Sequence, residues 1–242
     1  VKARVGPGGR WTASFEAATL PDGDHSLLAI AGSGLALSAP QSFKVTVPWF
    51  LVKTQDDPIG DDKGPLGTYR YPTAPGFEGR ADIESVSLYR RGPGAKLVIK
   101  MAKELSDGWN PAFGFDHVCF DIYIDFPARA MGRRGAVDLP RLGSRMPNGA
   151  DWDYAAFLGG WKVALYSAKG ASQAAFGTQV QPAPRVTADK KEGTIEVLFD
   201  MDAFPGLPSF DAARFYDTAW DYDGVEGALR PLAPEPADYV FG

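Results

Sequence analysis

The densest group of side chains that could do chemistry is an acidic segment in the first third of the chain. Residues 56–65 read DDPIGDDKGP and place four carboxylates within seven residues. Ca²⁺ takes six to eight oxygen ligands from flexible loops, so the segment is a candidate structural calcium site. The spacing is not that of an EF-hand, and a solvated acidic turn explains the pattern equally well. The predicted metal ligands are Asp57, Asp61, Asp62, Asp82 and Asp121.

Aromatic residues flanked by carboxylates and amides form the second candidate site. Tryptophan and tyrosine faces stack on the C–H groups of pyranose rings, while neighbouring polar side chains bond the hydroxyl groups. Such aromatic residues lie in segments typical of loops. For each of them the alternative is a plug in the core or an anchor for its loop. The predicted polysaccharide contacts are Trp109, Trp152, Tyr154, Trp220 and Tyr222.

Catalytic constellations find little support in this sequence. His25 and His117 are the only histidines, which excludes a zinc site of several histidines and leaves a Ser–His–Asp triad dependent on one residue. The 30 acidic residues always offer a pair of carboxylates of the glycosidase kind, so such a pair does not indicate catalysis. No nucleophile elbow or phosphate-binding loop occurs. We therefore predict a protein that is not an enzyme.

Composition restricts the partners. A net charge of -5 opposes nucleic acid, because its binders concentrate Lys and Arg. No apolar run approaches the roughly 20 residues that span a bilayer, so we predict no membrane span. The single cysteine, Cys119, lies in an apolar run and predicts a buried thiol. Val1 reads as sequence from within a domain, so we expect the native N-terminus upstream.

The elements that must position these residues read as short strands. Alternation with period 2 predicts an all-β, antiparallel sandwich. In the strongest segment Ile122 and Ile124 face one way and Asp121 the other, and in another Trp161 alternates with apolar residues and is predicted to lie in the core. Long loops at 55–80 and 127–159 interrupt the pattern and are candidates for function. The alternating segments are 85–89, 96–101, 118–126, 161–166 and 194–200.

Two domains are expected, with Pro48 at the boundary. Residues 1–48 contain strand patterns at 10–17, 25–31 and 42–47, too few for an independent sandwich. Their pattern resembles the last strands of bacterial immunoglobulin-like or fibronectin-like modules, so we predict a partial module of that kind. Residues 49–242 form the second, larger domain.

A series of motifs keeps its order along the second domain. These are DPIGDDKGPLGTYRYPT at 57–73, FEGRADI at 77–83, FDIYID at 120–125, MPNGA at 146–150, WDY at 152–154, GW at 160–161, RP at 230–231 and YVFG at 239–242. The series resembles the C-terminal module of glucodextranase. Related modules occur on some amylases and pullulanases, where they are called S-layer-like.

This resemblance implies a jelly-roll-like β-sandwich with a structural Ca²⁺ in the acidic loop. It implies a secreted or cell-surface bacterial protein whose module binds polysaccharide or cell-wall glycan. A catalytic domain of the same polypeptide, of the glycoside hydrolase kind, is the further partner implied. The alternative is a calcium-stabilised spacer that positions the catalytic domain and binds no glycan.

Overall fold

The chain is built of strands and turns. The computed structural model describes residues 4–5, 7–9, 11–12, 23–28, 30–31, 36–37, 39–64, 66–127, 135–223 and 228–242. Within these ranges the helical geometry is limited to the 3-10 turns Pro7–Gly9 and Met201–Ala203. A search of the same ranges for a helix with the length and apolarity of a membrane span found none. The all-β prediction is confirmed.

The chain divides into two compact units, Val1–Trp49 and Phe50–Gly242. In the first unit β1 pairs with β2, β3 with β6 and β4 with β5, all antiparallel. Of the strand predicted at 10–17, β2 covers two residues, and residues 13–17 lie outside the described ranges. The immunoglobulin-like assignment stays a prediction. The strands are β1 Arg4–Val5, β2 Trp11–Thr12, β3 Gly23–Leu27, β4 Ile30–Ala31, β5 Ala36–Leu37 and β6 Gln41–Val45.

The second unit is a sandwich of two five-stranded antiparallel sheets. Its strands are β7 Phe50–Asp56, β8 Ile83–Arg91, β9 Gly94–Met101, β10 Val118–Asp125, β11 Asp138–Leu139, β12 Ser144–Arg145, β13 Tyr154–Leu158, β14 Val163–Ser167, β15 Thr178–Val180, β16 Arg185–Asp189, β17 Thr194–Phe199 and β18 Arg214–Asp221. One sheet has the order β16-β17-β9-β8-β7 and the other β15-β14-β13-β10-β18. The links β9–β10, β15–β16 and β17–β18 therefore cross between the sheets.

Alternating side chains close the two sheets over one core. Leu97 of β9 lies opposite Val197 of β17, and both pack in one apolar cluster with Phe120 and Ile122 of β10. These four side chains are at most 1% exposed. Burying an aliphatic or aromatic side chain of this size stabilises a fold by about 1.5–3 kcal/mol, so this face fixes the strand register.

The opposite face of β10 is buried too. Cys119 and Tyr123 point away from the main core into a second cluster, which Leu139, Trp152 and Phe176 cover from the long loops. All eight residues of β10 are buried as a result. Period 2 identifies the two faces of a strand, but it does not show that a distant loop covers the second one.

Candidate functional site

An aromatic row lies beside the turn between β13 and β14. The indole rings of Trp109 and Trp161 have centroids 6.3 Å apart and planes within 26° of parallel. Trp161 and Tyr222 continue the row at 5.9 Å and 30°. Trp109 is 45% exposed and Trp161 39% exposed, so two neighbouring indoles are open to solvent.

Backbone contacts hold the loops of these two tryptophans together. The Asp116 carboxylate accepts the backbone N–H of Trp109 at 2.7 Å, and Phe113 donates its N–H to the Gly160 carbonyl at 2.9 Å. A Cβ on Gly160 would lie 2.2 Å from the Phe115 carbonyl oxygen, so the close approach requires glycine here. The exposed rings are thus held by backbone hydrogen bonds rather than by side-chain packing alone.

The His117 ring packs against the Trp109 ring, with centroids 3.8 Å apart. Burial, followed by the charge of Arg80, lowers the pKa of His117 to about 4. The imidazole is therefore neutral at pH 7. Asp116 and Arg80 also line a polar cavity of about 470 Å³ with Glu78 and Lys103, so hydrogen-bonding groups lie next to the aromatic row.

Three of the five predicted sugar contacts, Trp152, Tyr154 and Tyr222, have no face to offer a ligand. Trp152 is 0% exposed and its Nε1–H donates to the Asp138 carbonyl oxygen at 2.9 Å. Tyr154 is 8% exposed and packs edge-on against Phe204, with ring centroids 4.8 Å apart. The predictions for Trp152 and Tyr154 are wrong for the same reason, because strand β13 and the segment before it lie in the interior.

The other aromatic residues differ in exposure. Tyr222 is buried at the end of the aromatic row, so its prediction as a sugar contact is wrong too. Trp220 is partly buried, its Nε1–H donates to the Arg230 carbonyl oxygen at 3.0 Å, and its ring meets Tyr69 edge-on at 5.8 Å. The core assignment of Trp161 is wrong, because β14 begins two residues later and leaves Trp161 in the preceding turn.

The acidic segment does bring several carboxylates close together. Burial and the charges of Asp61 and Asp82 raise the pKa of Asp57. Burial likewise raises the pKa of Asp82, with Asp62 and Asp61 adding to it. Asp82 Oδ2 accepts the Gly60 N–H at 2.8 Å, while Asp82 Oδ1 is buried with no hydrogen-bond partner among the described residues. Negative charge therefore gathers here, and the charge of Lys103 offsets only part of its effect on Asp82.

Asp121 does not belong to this acidic group. It is buried on β10, and the Arg141 guanidinium donates to its Oδ1 at 2.8 Å. Burial raises the pKa of Asp121 to about 6, and the Arg141 charge opposes a larger rise. Arg141 lies over the rings of Phe157 and Phe176. Asp121 is thus one half of a buried ion pair, and its prediction as a metal ligand is wrong.

The other four predicted ligands are not arranged as a ready-made metal site. In the part of the chain that the structure describes, no group of three or more His, Cys, Asp or Glu side chains is placed to hold a metal ion. The Asp62 carboxylate already accepts the Tyr71 hydroxyl.

A cleft of about 580 Å³ runs along strand β18, and its lining includes residues from both the predicted metal site and the predicted sugar contacts. Asp61 and Asp62 line it from the acidic segment, and Trp220 lines it from β18. Tyr69 and Arg141 also line it, although nothing in the local pattern indicated either one. Both come from long loops, whose positions are set by contacts distant in sequence.

Residues 230–242 hold the chain that follows the acidic segment. Arg70 and Gly242 exchange backbone hydrogen bonds at 2.6 and 2.9 Å. Arg230 forms a buried ion pair with Asp221 of β18, and its guanidinium lies 4.7 Å from the centroid of Phe77. Motifs at opposite ends of the second unit therefore build one wall of the cleft.

Asp217 is a further polar residue that sequence reasoning missed. It lies opposite Ile122 in the β10–β18 pairing and therefore on the core-facing side of β18. Its Oδ1 is buried without a hydrogen-bond partner among the described residues, and burial raises its pKa to about 7. An acidic residue surrounded by alternating polar and aromatic residues gave no signal of this environment.

Fold and surfaces together define the class as a β-sandwich binding module, with exposed aromatic residues and an acidic cleft. The family model for the C-terminal binding module, SLH-like, of glucodextranase matches residues 52–242. The chain belongs to this family, as its motifs predicted, and the matched region is a binding module rather than a catalytic one. A comparison with curated proteins found no match.

Proposed function

We propose that this module binds polysaccharide or cell-wall glycan through the exposed rings of Trp109 and Trp161 in the aromatic row, which the buried Tyr222 ring continues inward. The observation that supports the proposal best is the pair of exposed, nearly parallel indoles held by backbone contacts. Rigid aromatic faces bind with little loss of side-chain freedom, which favours affinity.

The chemistry of the surroundings suits a sugar. The C–H face of a pyranose packs against an exposed indole, and its hydroxyl groups require donors and acceptors at the edge of the ring. Arg80 and the exposed Glu78 provide both kinds of group in the neighbouring cavity. Since His117 is neutral at pH 7, the support beneath Trp109 does not change between pH 6 and 8.

Affinity electrophoresis against α-glucans, dextran, xylan and peptidoglycan tests this proposal. For a retained glycan we expect Trp109→Ala and Trp161→Ala each to weaken binding at least tenfold, about 1.4 kcal/mol. Phe50→Ala is the matched control, because Phe50 is an exposed aromatic residue outside the row. Loss of binding in the control, or equal retention of all variants, would exclude the aromatic row as the binding surface.

The parent protein, in this proposal, is an extracellular or cell-surface polysaccharide-degrading enzyme of bacterial origin. The family description names a module of such an enzyme, which supports the proposal. The module would hold a catalytic domain of the same polypeptide near its polymer. Fractionation of the producing cells checks the location, since the full polypeptide should be found in the medium or with the cell wall.

A structural spacer is the second candidate function. It is favoured by the contact of Trp109 with His117 at 3.8 Å, because that ring also packs its own loop. A spacer predicts that the isolated module binds none of the four polymers and that Trp109→Ala lowers the melting temperature. Glycan binding with an unchanged melting temperature in this variant would reject the spacer.

We also propose that Ca²⁺ stabilises the acidic segment. The buried, unpartnered Asp82 Oδ1 and the raised pKa values of Asp57 and Asp82 support a cation there. Because these side chains are not already grouped for an ion, binding requires the 57–62 segment to close on Asp82.

Thermal unfolding with Ca²⁺ or with EDTA tests the calcium proposal. At a hundredfold excess of Ca²⁺ over Kd, the free energy of unfolding should rise by about 2.7 kcal/mol. Asp82→Asn should abolish this rise, whereas Asp202→Asn, an exposed carboxylate on the Met201–Ala203 turn, should keep it. An identical melting curve in Ca²⁺ and in EDTA would refute the proposal.

A further inference from the structure

One side of the sandwich is open between the edge strands β7 and β18. A cavity of about 590 Å³ lies there, a size typical of small-molecule sites. Its lining is mostly apolar and comes from both sheets, with Ile83, Val86 and Leu88 on β8, Leu97 on β9 and Phe215 on β18. β7 contributes Lys53 and Gln55 instead of the apolar residues that would close the core.

The Asp217 carboxyl group is the polar feature of this apolar cavity. It lines the cavity, and in the strand pairing it lies beside Ile122, a fully buried core residue. Asp217 Oδ1 is inaccessible to solvent and has no hydrogen-bond partner among the described residues. A buried acceptor without a partner destabilises the fold, so a donor brought by a ligand would remove that penalty.

Charges around the cavity favour a positive ligand. Besides Asp217, its charged lining residues are Lys53, Asp57 and Arg214. Arg214 is already paired with Asp125, and burial is the only cause that acts on the pKa of Asp217, with no contribution from a neighbouring cation. Asp217 therefore remains without a compensating cation. The adjoining cleft shares Asp57 and Asp217 and adds the acidic residues Asp61 and Asp62.

We propose that this cavity binds an organic cation with an apolar stem, namely a primary alkylammonium group such as a lysine side chain. The ammonium donates to Asp217, and the methylene stem packs on Val86, Leu88 and Phe215. This site uses none of the residues of the aromatic row. Its success or failure is therefore independent of the proposed glycan binding.

Proton balance makes the binding dependent on pH. Burial keeps the Asp217 carboxyl group protonated up to about pH 7, and the ammonium prefers the carboxylate. Binding therefore releases one proton from Asp217 to solvent below pH 7 and none well above it. The other charged residues that line the cavity are Lys53 and Asp57 on the opposite wall and Arg214 on the same strand. Affinity should rise about tenfold from pH 6 to pH 8 and then level off.

Calorimetric titration of the module with n-hexylammonium chloride tests the proposal. Three probes separate its parts: hexan-1-ol has the stem without the charge, ethylammonium has the charge with a short stem, and Nα-acetyl-lysine amide presents the ammonium as a peptide would. We expect hexylammonium to bind at least tenfold more tightly than hexan-1-ol and ethylammonium. Equal binding of hexan-1-ol would overturn the role of Asp217, and no binding of hexylammonium at millimolar concentration would overturn the site.

Two variants assign the binding to this carboxyl group. Asp217→Asn keeps the shape and removes the charge, so hexylammonium binding should fall at least tenfold. Asp202→Asn, an exposed carboxylate outside the cavity, should leave it unchanged. Thermal unfolding verifies that Asp217→Asn is folded. Unchanged affinity in Asp217→Asn, or displacement of hexylammonium by Ca²⁺ from that variant, would place the cation at the acidic segment and contradict the proposal.

Discussion

Two aspartates with buried carboxylate oxygens lie one residue apart in register on neighbouring strands, yet their environments differ completely. Asp121 pairs with Thr218 and Asp217 with Ile122, so the two side chains leave the same sheet on opposite faces. Asp121 meets Arg141 at 2.8 Å, whereas Asp217 Oδ1 has no partner among the described residues. The comparison indicates that a cation within reach decides whether a buried carboxylate is a structural element or an available site.

The environments of the two aspartates differ because loops cover the sheet face that carries Asp121. On the side of Asp121 the long loops bring Arg141, and Phe157 and Phe176 contact its guanidinium. On the side of Asp217 the edge strand β7 is exposed along its whole length, and a cavity remains. One carboxylate is thus enclosed by its own chain, and the other is left for a partner.

The largest effect should come from removing the cation of the enclosed pair. Arg141→Ala leaves Asp121 buried without its guanidinium and also removes the packing on two rings. Breaking a buried pair in this way costs about 3–5 kcal/mol. Urea unfolding at pH 8 measures the loss. Arg145→Ala is the matched control, since its ion pair with Asp138 is largely exposed and should contribute below about 1 kcal/mol.

Removing the charge of Asp217 should stabilise the module at high pH, whereas Arg141→Ala destabilises it. The folded pKa of Asp217, about 7, lies above its ordinary value of 3.8. Stability from its protonated form is thus complete below pH 4 and is lost as pH rises through 7. Asp217→Asn should equal the parent at pH 3.5 and exceed it by roughly 2 kcal/mol at pH 8, less than the full shift implies because the residue is partly exposed.

The sign of this change in stability shows whether the Asp217 carboxylate has a partner in solution. If Asp217→Asn is less stable than the parent at pH 8, the carboxylate has a partner in solution and the cavity is not a vacant cation site. If Asp217→Asn is more stable and also loses the alkylammonium ligand, stability and binding are opposed at this residue, as is common at functional sites.

Much of this contrast could not be predicted from the sequence, although the fold could. Alternation identified β8, β9, β10 and β17, because burial of one face imposes period 2. The same rule placed Asp121 on one face of its strand and did not identify β18, which carries Asp217. Arg141 lies 20 residues from Asp121 in a loop, and its left-handed backbone, with φ of 68°, had no glycine or asparagine to signal it.

The predicted aromatic residues differ in exposure for a related reason. Trp109 lies in a turn rich in glycine and proline and is exposed, as its local sequence indicated. Trp152 lies among similar residues, yet it is buried, because the buried strand β13 begins two residues later. Short motifs indicate which residues could bind a sugar, while long-range packing decides which of them reach the surface.

An ion pair at the edge of the sandwich gives an intermediate case. Arg214 pairs with the buried Asp125, but its own side chain is 63% exposed. Solvent can replace much of what the guanidinium supplies, so Arg214→Ala should destabilise the module by about 1 kcal/mol. Thermal unfolding at pH 7 measures it. A loss as large as that of Arg141→Ala would show that the depth of the carboxylate alone sets the cost.

The smallest effect is expected where both partners are exposed. Glu235 meets Arg70 at 3.0 Å with 81% of its side chain accessible, so water solvates either charge when the other is removed. Glu235→Gln should change the free energy of unfolding by less than about 0.5 kcal/mol, and 1 M NaCl should remove even that. Urea unfolding at low and high salt measures both values. A salt-resistant loss above 1 kcal/mol would mean that Glu235 holds the C-terminal segment against Arg70. Exposure of the partners ranks these four carboxylates here, and it would then no longer predict the cost of breaking an ion pair.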